Sequence, residues 1–266
     1  MPSRAAAARR GRLDTLPCVI LRSLAAFFVA CASWPATAVL IRPDRDDAEY
    51  LELASHYTSS IVLSAPASEA VVIASRWVLL PASHAKGIAA GGAVDIGGRP
   101  YPVVRVATHP DARPGSPADL ALVQLGSAVR GVEPTPVYRG HDEAGKGLVL
   151  VAHGATGKIG DAARTRDGRA RGAINTIERL SPLTASVPLK ELEEASDLLG
   201  VLVPGEEGAP AYIQTEEGLF VAGLYYGDVT VWNLLSRLSA FAPWIDAVRV
   251  AAERDDQEKM LEDRPR

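Results

Sequence analysis

The chain has 266 residues, 47% of them hydrophobic, enough apolar material for a sizeable core in one or two domains. Its formal net charge of −4 argues against a nucleic-acid binder, and its hydrophobicity lies outside the range of disordered chains. With 23 glycines, 19 prolines and few aromatics, the composition suits short strands separated by turns.

The N-terminus reads as an export signal. Arg4, Arg9, Arg10, Arg12 and Arg22 flank a short apolar run at 24–32, too short to span a bilayer as a helix. Ala36-Thr37-Ala38 supplies small residues for cleavage, so residues 1–38 are expected to be removed and the remainder to be periplasmic or secreted. Val29-Ala30-Cys31 offers a second form, a lipoprotein signal with Cys31 lipidated, which would tether the protein to a membrane. Cys18 and Cys31 are the two cysteines of the chain, and both lie in this segment. The remainder is expected to have no disulfide, no thiolate metal site and no cysteine nucleophile.

Runs at 60–63, 70–74, 103–107, 120–125, 148–151, 200–203, 211–213 and 219–225 read as short strands between Gly, Pro and Asp clusters. Such a succession predicts a barrel or a sandwich. Residues 126–140, with Pro134 and Pro136, read as a linker. Residues 189–199 have a short helical pattern. Leu238, Phe241, Ile245 and Val248 recur at three or four residues and predict a helix over 236–252. The charged residues 253–266 are expected to be a frayed tail.

Five segments, in order, resemble the trypsin-like serine endopeptidases. Trp77-Val78-Leu79-Leu80-Pro81-Ala82-Ser83-His84 is similar to the strand and turn that carry the family's histidine. Asp119-Leu120-Ala121-Leu122 is similar to the segment of its aspartate. Gly205-Glu206-Glu207-Gly208-Ala209-Pro210 resembles the Gly-Asp-Ser-Gly-Gly-Pro loop of its nucleophile. The run 221–227 resembles the strand beside its substrate cleft, and 236–245 its closing helix. The resemblance covers roughly 50–250. It implies an all-β fold of two antiparallel six-stranded barrels, at about 39–125 and 141–235, joined by 126–140 and closed by the helix.

The same resemblance implies that the chemistry is lost. Aligned without a gap on Trp77, the histidine position falls on Ser83; one inserted residue would move it to His84. The three catalytic positions therefore read Ser83 (or His84), Asp119 and Glu207. A histidine base cannot activate a carboxylate as it does a hydroxyl. Glu207 is expected to accept the loop's own N–H donors, at Gly205 above all, and so fill the oxyanion site. Glu206 replaces an aspartate and is expected to be a solvated loop charge. Asp119 is expected to bond nearby backbone N–H groups or Ser83. Val201 falls at the base of the primary pocket and implies an apolar pocket or none, while Tyr225, Tyr226 and Gly227 border the former cleft.

The resulting expectation is an inactive protease homologue that binds a peptide or protein in that cleft, without cofactor, metal or nucleic acid. The alternative is a hydrolase using His84 and Asp119 with a nonstandard nucleophile, or carboxylate chemistry at Asp119 and Glu207. Other motifs are read blandly. His141-Asp142-Glu143 is expected to be a solvated turn, Gly154-Ala155-Thr156-Gly157 a turn, and 164–171 an exposed hairpin tip.

Overall fold

The computed structural model describes residues 39–161, 163, 165–189 and 196–262. The export segment, including Cys18 and Cys31, lies outside the described residues. So does most of the helical pattern read at 189–199.

Six antiparallel strands close a barrel in the order β2 (Ser60–Ser64), β3 (Ala67–Ala74), β4 (Trp77–Leu80), β7 (Ala121–Leu125), β6 (Arg99–Thr108) and β5 (Ala93–Ile96). Alternation decides which side chains fill it. Ala70 and Val72 of β3, Val78 and Leu80 of β4, and Ala121, Val123 and Leu125 of β7 pack with Ile61 and Leu63 inside. The intervening Val71, Ile73, Trp77, Leu79 and Leu122 face the other way, into a second cluster with Tyr212, Val221, Leu224 and Phe241. Both faces of these strands are covered, which is why 70–74, 77–80 and 121–123 are apolar at every position.

The C-terminal half forms a large sheet. Its path is β10 (Arg179–Leu180), β11 (Thr184–Pro188), β15 (Trp232–Arg237), β14 (Gly218–Val229), β13 (Pro210–Thr215), β8 (Gly147–Lys158), β1 (Leu40–Ile41) and β12 (Gly200–Val201), with β9 (Thr165–Thr176) paired to β8. The pairing does not close this sheet into a second barrel among the described residues. Asn175 Nδ2 of β9 donates to the carbonyl of Pro188 on β11 (3.1 Å), a side-chain link rather than a backbone ladder. Its core holds Leu148, Leu150, Ala173, Ile213, Tyr225 and Leu235.

Two helices complete the fold. Helix α1 (Asp47–Ser55) begins at Asp46, whose side chain accepts from Ala48 N, and carries Asp47 and Glu49 in its first turn. Tyr50 is its buried anchor and donates to Leu199 O (2.8 Å). Helix α2 spans Leu238–Glu262, longer than the expected 236–252. Of the residues expected to fray, 253–262 continue the helix and two of its acids are paired; 263–266 lie outside the described residues. Asp255 meets Arg105 of β6 (2.9 Å), and Asp256 meets Arg76 (3.6 Å) and Gln124 (3.3 Å).

Candidate functional site

The register of β4 against β7 places Ser83 beside Asp119. Leu80 lies opposite Ala121, and the ladder is extended by Ala82 N–H donating to Asp119 O (3.2 Å). Pro81 O then accepts from both His84 N and Ala85 N (3.0 Å each), a tight turn that swings Ser83 toward the aspartate. Ser83 N donates to Asp119 Oδ1 (2.8 Å) and Ser83 Oγ to Oδ2 (2.6 Å). Asp119 is buried, so this carboxylate is satisfied by one neighbouring residue.

His84 turns elsewhere. Its Nδ1 lies 3.0 Å from Ser68 Oγ, and Ser68 Oγ donates to Glu69 O (2.8 Å). The hydroxyl has one proton, already committed to that carbonyl. With that proton so committed, Ser68 Oγ is left to accept from an Nδ1–H of His84.

The loop between β12 and β13 carries Gly205, Glu206, Glu207 and Gly208. The Gly205 N–H donates to the Glu207 carboxylate, 3.1 Å from each oxygen. Gly208 has φ +97°, and a Cβ there would lie 2.4 Å from Glu69 O; only glycine fits this approach. Gly208 N–H donates to Tyr225 O (2.8 Å) and Tyr225 N–H to Ala209 O (2.9 Å), pinning the loop to β14.

Glu206 departs from the expected solvated charge. It is completely buried, because the loop turns inward against β3 and β14. One oxygen accepts from Val203 N (2.8 Å); the other, Oε1, has no hydrogen-bond partner. Burial pushes its pKa well above the ordinary carboxylate value. The Val203 bond opposes this, and the negative charges of Glu69, Glu207 and Asp228 add to it.

A second pair had no counterpart in the sequence reading. His153 donates its backbone N–H to Glu69 Oε1 (2.7 Å), and its Nδ1 lies 3.0 Å from Glu69 Oε2. Glu69 is 5% exposed. The available signal was a single acid in the apolar run of β3.

Glu207 and His84 border two cavities. One, about 230 Å³, is also lined by Ser83, Asp119, Tyr225 and Tyr226. The other, about 640 Å³, also holds Ser68, Glu69, His153 and Gly205. Val201 lines neither; it is buried in β12 opposite Leu40. Tyr225 is fully buried in the sheet core, its hydroxyl beside Asp228 without a hydrogen bond of ordinary geometry. Burial, followed by the Asp228 charge, raises its pKa. Tyr226 lies within hydrogen-bond distance of Thr184, their hydroxyl oxygens 3.0 Å apart. Gly227 sits where a bulge shifts the β14–β15 register.

Three bland readings are corrected. Glu143 is buried rather than solvated: Arg237 donates to both of its oxygens (2.9 and 2.8 Å), and Ser239 donates as well. The glycine-rich 154–157 stretch belongs to β8 rather than to a turn. The expected hairpin tip runs into β9, where Arg171 is 1% exposed and grips Asp47 and Asp167. Among the described residues, no three His, Cys, Asp or Glu side chains are placed to hold a metal ion.

No family model matches the chain, and no curated protein matches it.

Proposed function

We propose that this protein is a catalytically inactive relative of the trypsin-like serine endopeptidases, exported after loss of residues 1–38, which binds a peptide or protein in the cleft that Ser83, Asp119 and Glu207 border. On this reading the large C-terminal sheet is the counterpart of the family's second barrel. The observation that carries the proposal is the Ser83–Asp119 contact. Asp119 is occupied where a histidine would need it, and the carboxylate of Glu207 occupies the Gly205 N–H where an oxyanion would need that donor. Asp119 is held by Ser83 rather than by a histidine, a carboxylate stands at the family's serine position, and the Gly205 N–H is taken. Losing such groups costs roughly 10³ to 10⁶ in rate in an acyl-transfer enzyme.

The alternative hydrolase would need His84 on Asp119. The nearest partner of His84 Nδ1 is Ser68, and both Asp119 oxygens are taken by Ser83, so the geometry favours the binding reading. The test is hydrolysis of a broad peptide and ester panel by the purified protein, Glu207→Ala and His84→Ala. No turnover in all three is expected. Turnover by the wild type that either substitution abolishes would overturn the proposal.

A further inference from the structure

We infer that the cavity of about 640 Å³ is a binding site for a short peptide, about three residues long, with both termini free. The inference rests on the binding reading above and names the ligand class for the wall that His84 and Glu207 share with the smaller cavity.

The cavity crosses β2. On one side Val62 lies opposite Glu69 of β3; on the other Leu63 lies opposite Ile96 of β5. Two strand spacings, roughly 10 Å, therefore separate its ends. Three extended residues span about the same distance, and the volume falls within the range of small-ligand sites.

The two ends have opposite chemistry. At the β3 end, the Glu69 carboxylate is used by His153, whereas Glu207 has lone pairs beyond those bound by Gly205. His84 stands beside it on the same wall, its Nδ1 3.0 Å from Ser68 Oγ. A carboxylate accepts the protons of an ammonium group. At and just beyond the β5 end stand Arg99, the first residue of β6 opposite Ile96, and Arg130, both exposed and both lining the cavity. Neither has an ion-pair partner among the described residues. Arg130 is fixed through its backbone N–H, which donates to Tyr101 Oη (3.1 Å). Two guanidinium groups suit a carboxylate. Ile96, Val129 and Val132 supply apolar wall for side chains. A ligand with a single charge would satisfy one end alone; a zwitterionic peptide satisfies both.

The test is calorimetric titration of the full chain with the tripeptide Ala-Val-Leu, its N-acetylated form, its C-terminal amide, and six-residue peptides ending in the same sequence. The free tripeptide should bind, and each capping should weaken it at least about tenfold, as expected for loss of a charge-assisted contact. In Glu207→Gln the penalty for acetylation should shrink, and in Arg99→Ala with Arg130→Ala the penalty for amidation should shrink. Far-ultraviolet circular dichroism checks that each variant is folded. Equal affinity for capped and free peptides, tighter binding of the six-residue peptides, or no binding of the tripeptide overturns the inference. If the six-residue peptides bind and the tripeptide does not, the cleft still binds peptide and only this ligand class fails. If no peptide of either length binds, the peptide form of the binding reading fails with it.

Discussion

Asp119 receives two hydrogen bonds from Ser83, one from its amide at 2.8 Å and one from its hydroxyl at 2.6 Å. Each carboxylate oxygen has a donor, and the β4–β7 register that brings them together is continuous up to that point. Ser83→Ala removes the hydroxyl and leaves Oδ2 of a buried carboxylate unpaired. The cost should be about 2 kcal/mol, the usual range for a hydrogen bond to a charged group. Urea denaturation measures it, and Asp119→Asn in the Ser83→Ala background should recover part of the loss by removing the unpaired charge.

Glu206 makes stability depend on pH. Its folded pKa is raised from the ordinary 4.5 by burial, so the folded chain keeps a proton that the unfolded chain releases. The stability associated with this group is fully present below pH 4.5 and is lost as pH rises toward the folded value. Glu206→Gln copies the protonated acid without the titration. Its melting temperature should match the wild type in mild acid and exceed it increasingly toward neutral and alkaline pH. A constant difference across that range would mean that Glu206 is ionised in the folded protein.

Gly208 sets how closely the loop approaches β3. Gly208→Ala would force a Cβ to 2.4 Å from Glu69 O in a backbone conformation that L-residues avoid. Strain of this kind costs on the order of 1–3 kcal/mol. The same movement would disturb Glu69, so histidine proton resonances should report a changed environment at His153 along with the lower melting temperature.

Arg171 joins helix α1 to β9. Its guanidinium donates to Asp47 (2.5 and 2.8 Å) and to Asp167 (3.0 and 2.8 Å). The Asp167 carboxyl is held well below its ordinary pKa, first of all by the Arg171 hydrogen bond. Arg171→Ala should cost about 3 kcal/mol, the lower end for breaking a buried pair, because both aspartates keep some contact with water. Hydrogen exchange should localise the loosening to 47–55 and 165–176.

Runs such as 70–74 and 211–213 were legible because they are apolar at every position, both of their faces being covered. β9 escaped because its segment is rich in arginine and its one deeply buried charge, Arg171, is neutralised by residues four and more than a hundred positions away. β1 and β10, two residues each, are too short for any periodicity to register. Helix α1 buries only Tyr50 and Ala54, so its apolar pattern was faint although its acidic cap was present. At the site, the neighbours Ser83 and Asp119 follow from strand pairing and were legible. The burial of Glu206 was not, because two adjacent glutamates between glycines look solvated until β3 and β14 close over the first. Nor was the partnership of Glu69 with His153, which needs the barrel and the sheet to meet.

The most direct measurement rebuilds what the proposal says is missing. Ser83→His with Glu207→Ser would place an imidazole on Asp119 and a hydroxyl beside a freed Gly205 N–H. The account predicts that activated esters are hydrolysed by this double variant above the wild-type rate, while the wild type and each single variant stay at background. A wild type that turns over the same esters, and loses that activity in His84→Ala or Glu207→Ala, would contradict it.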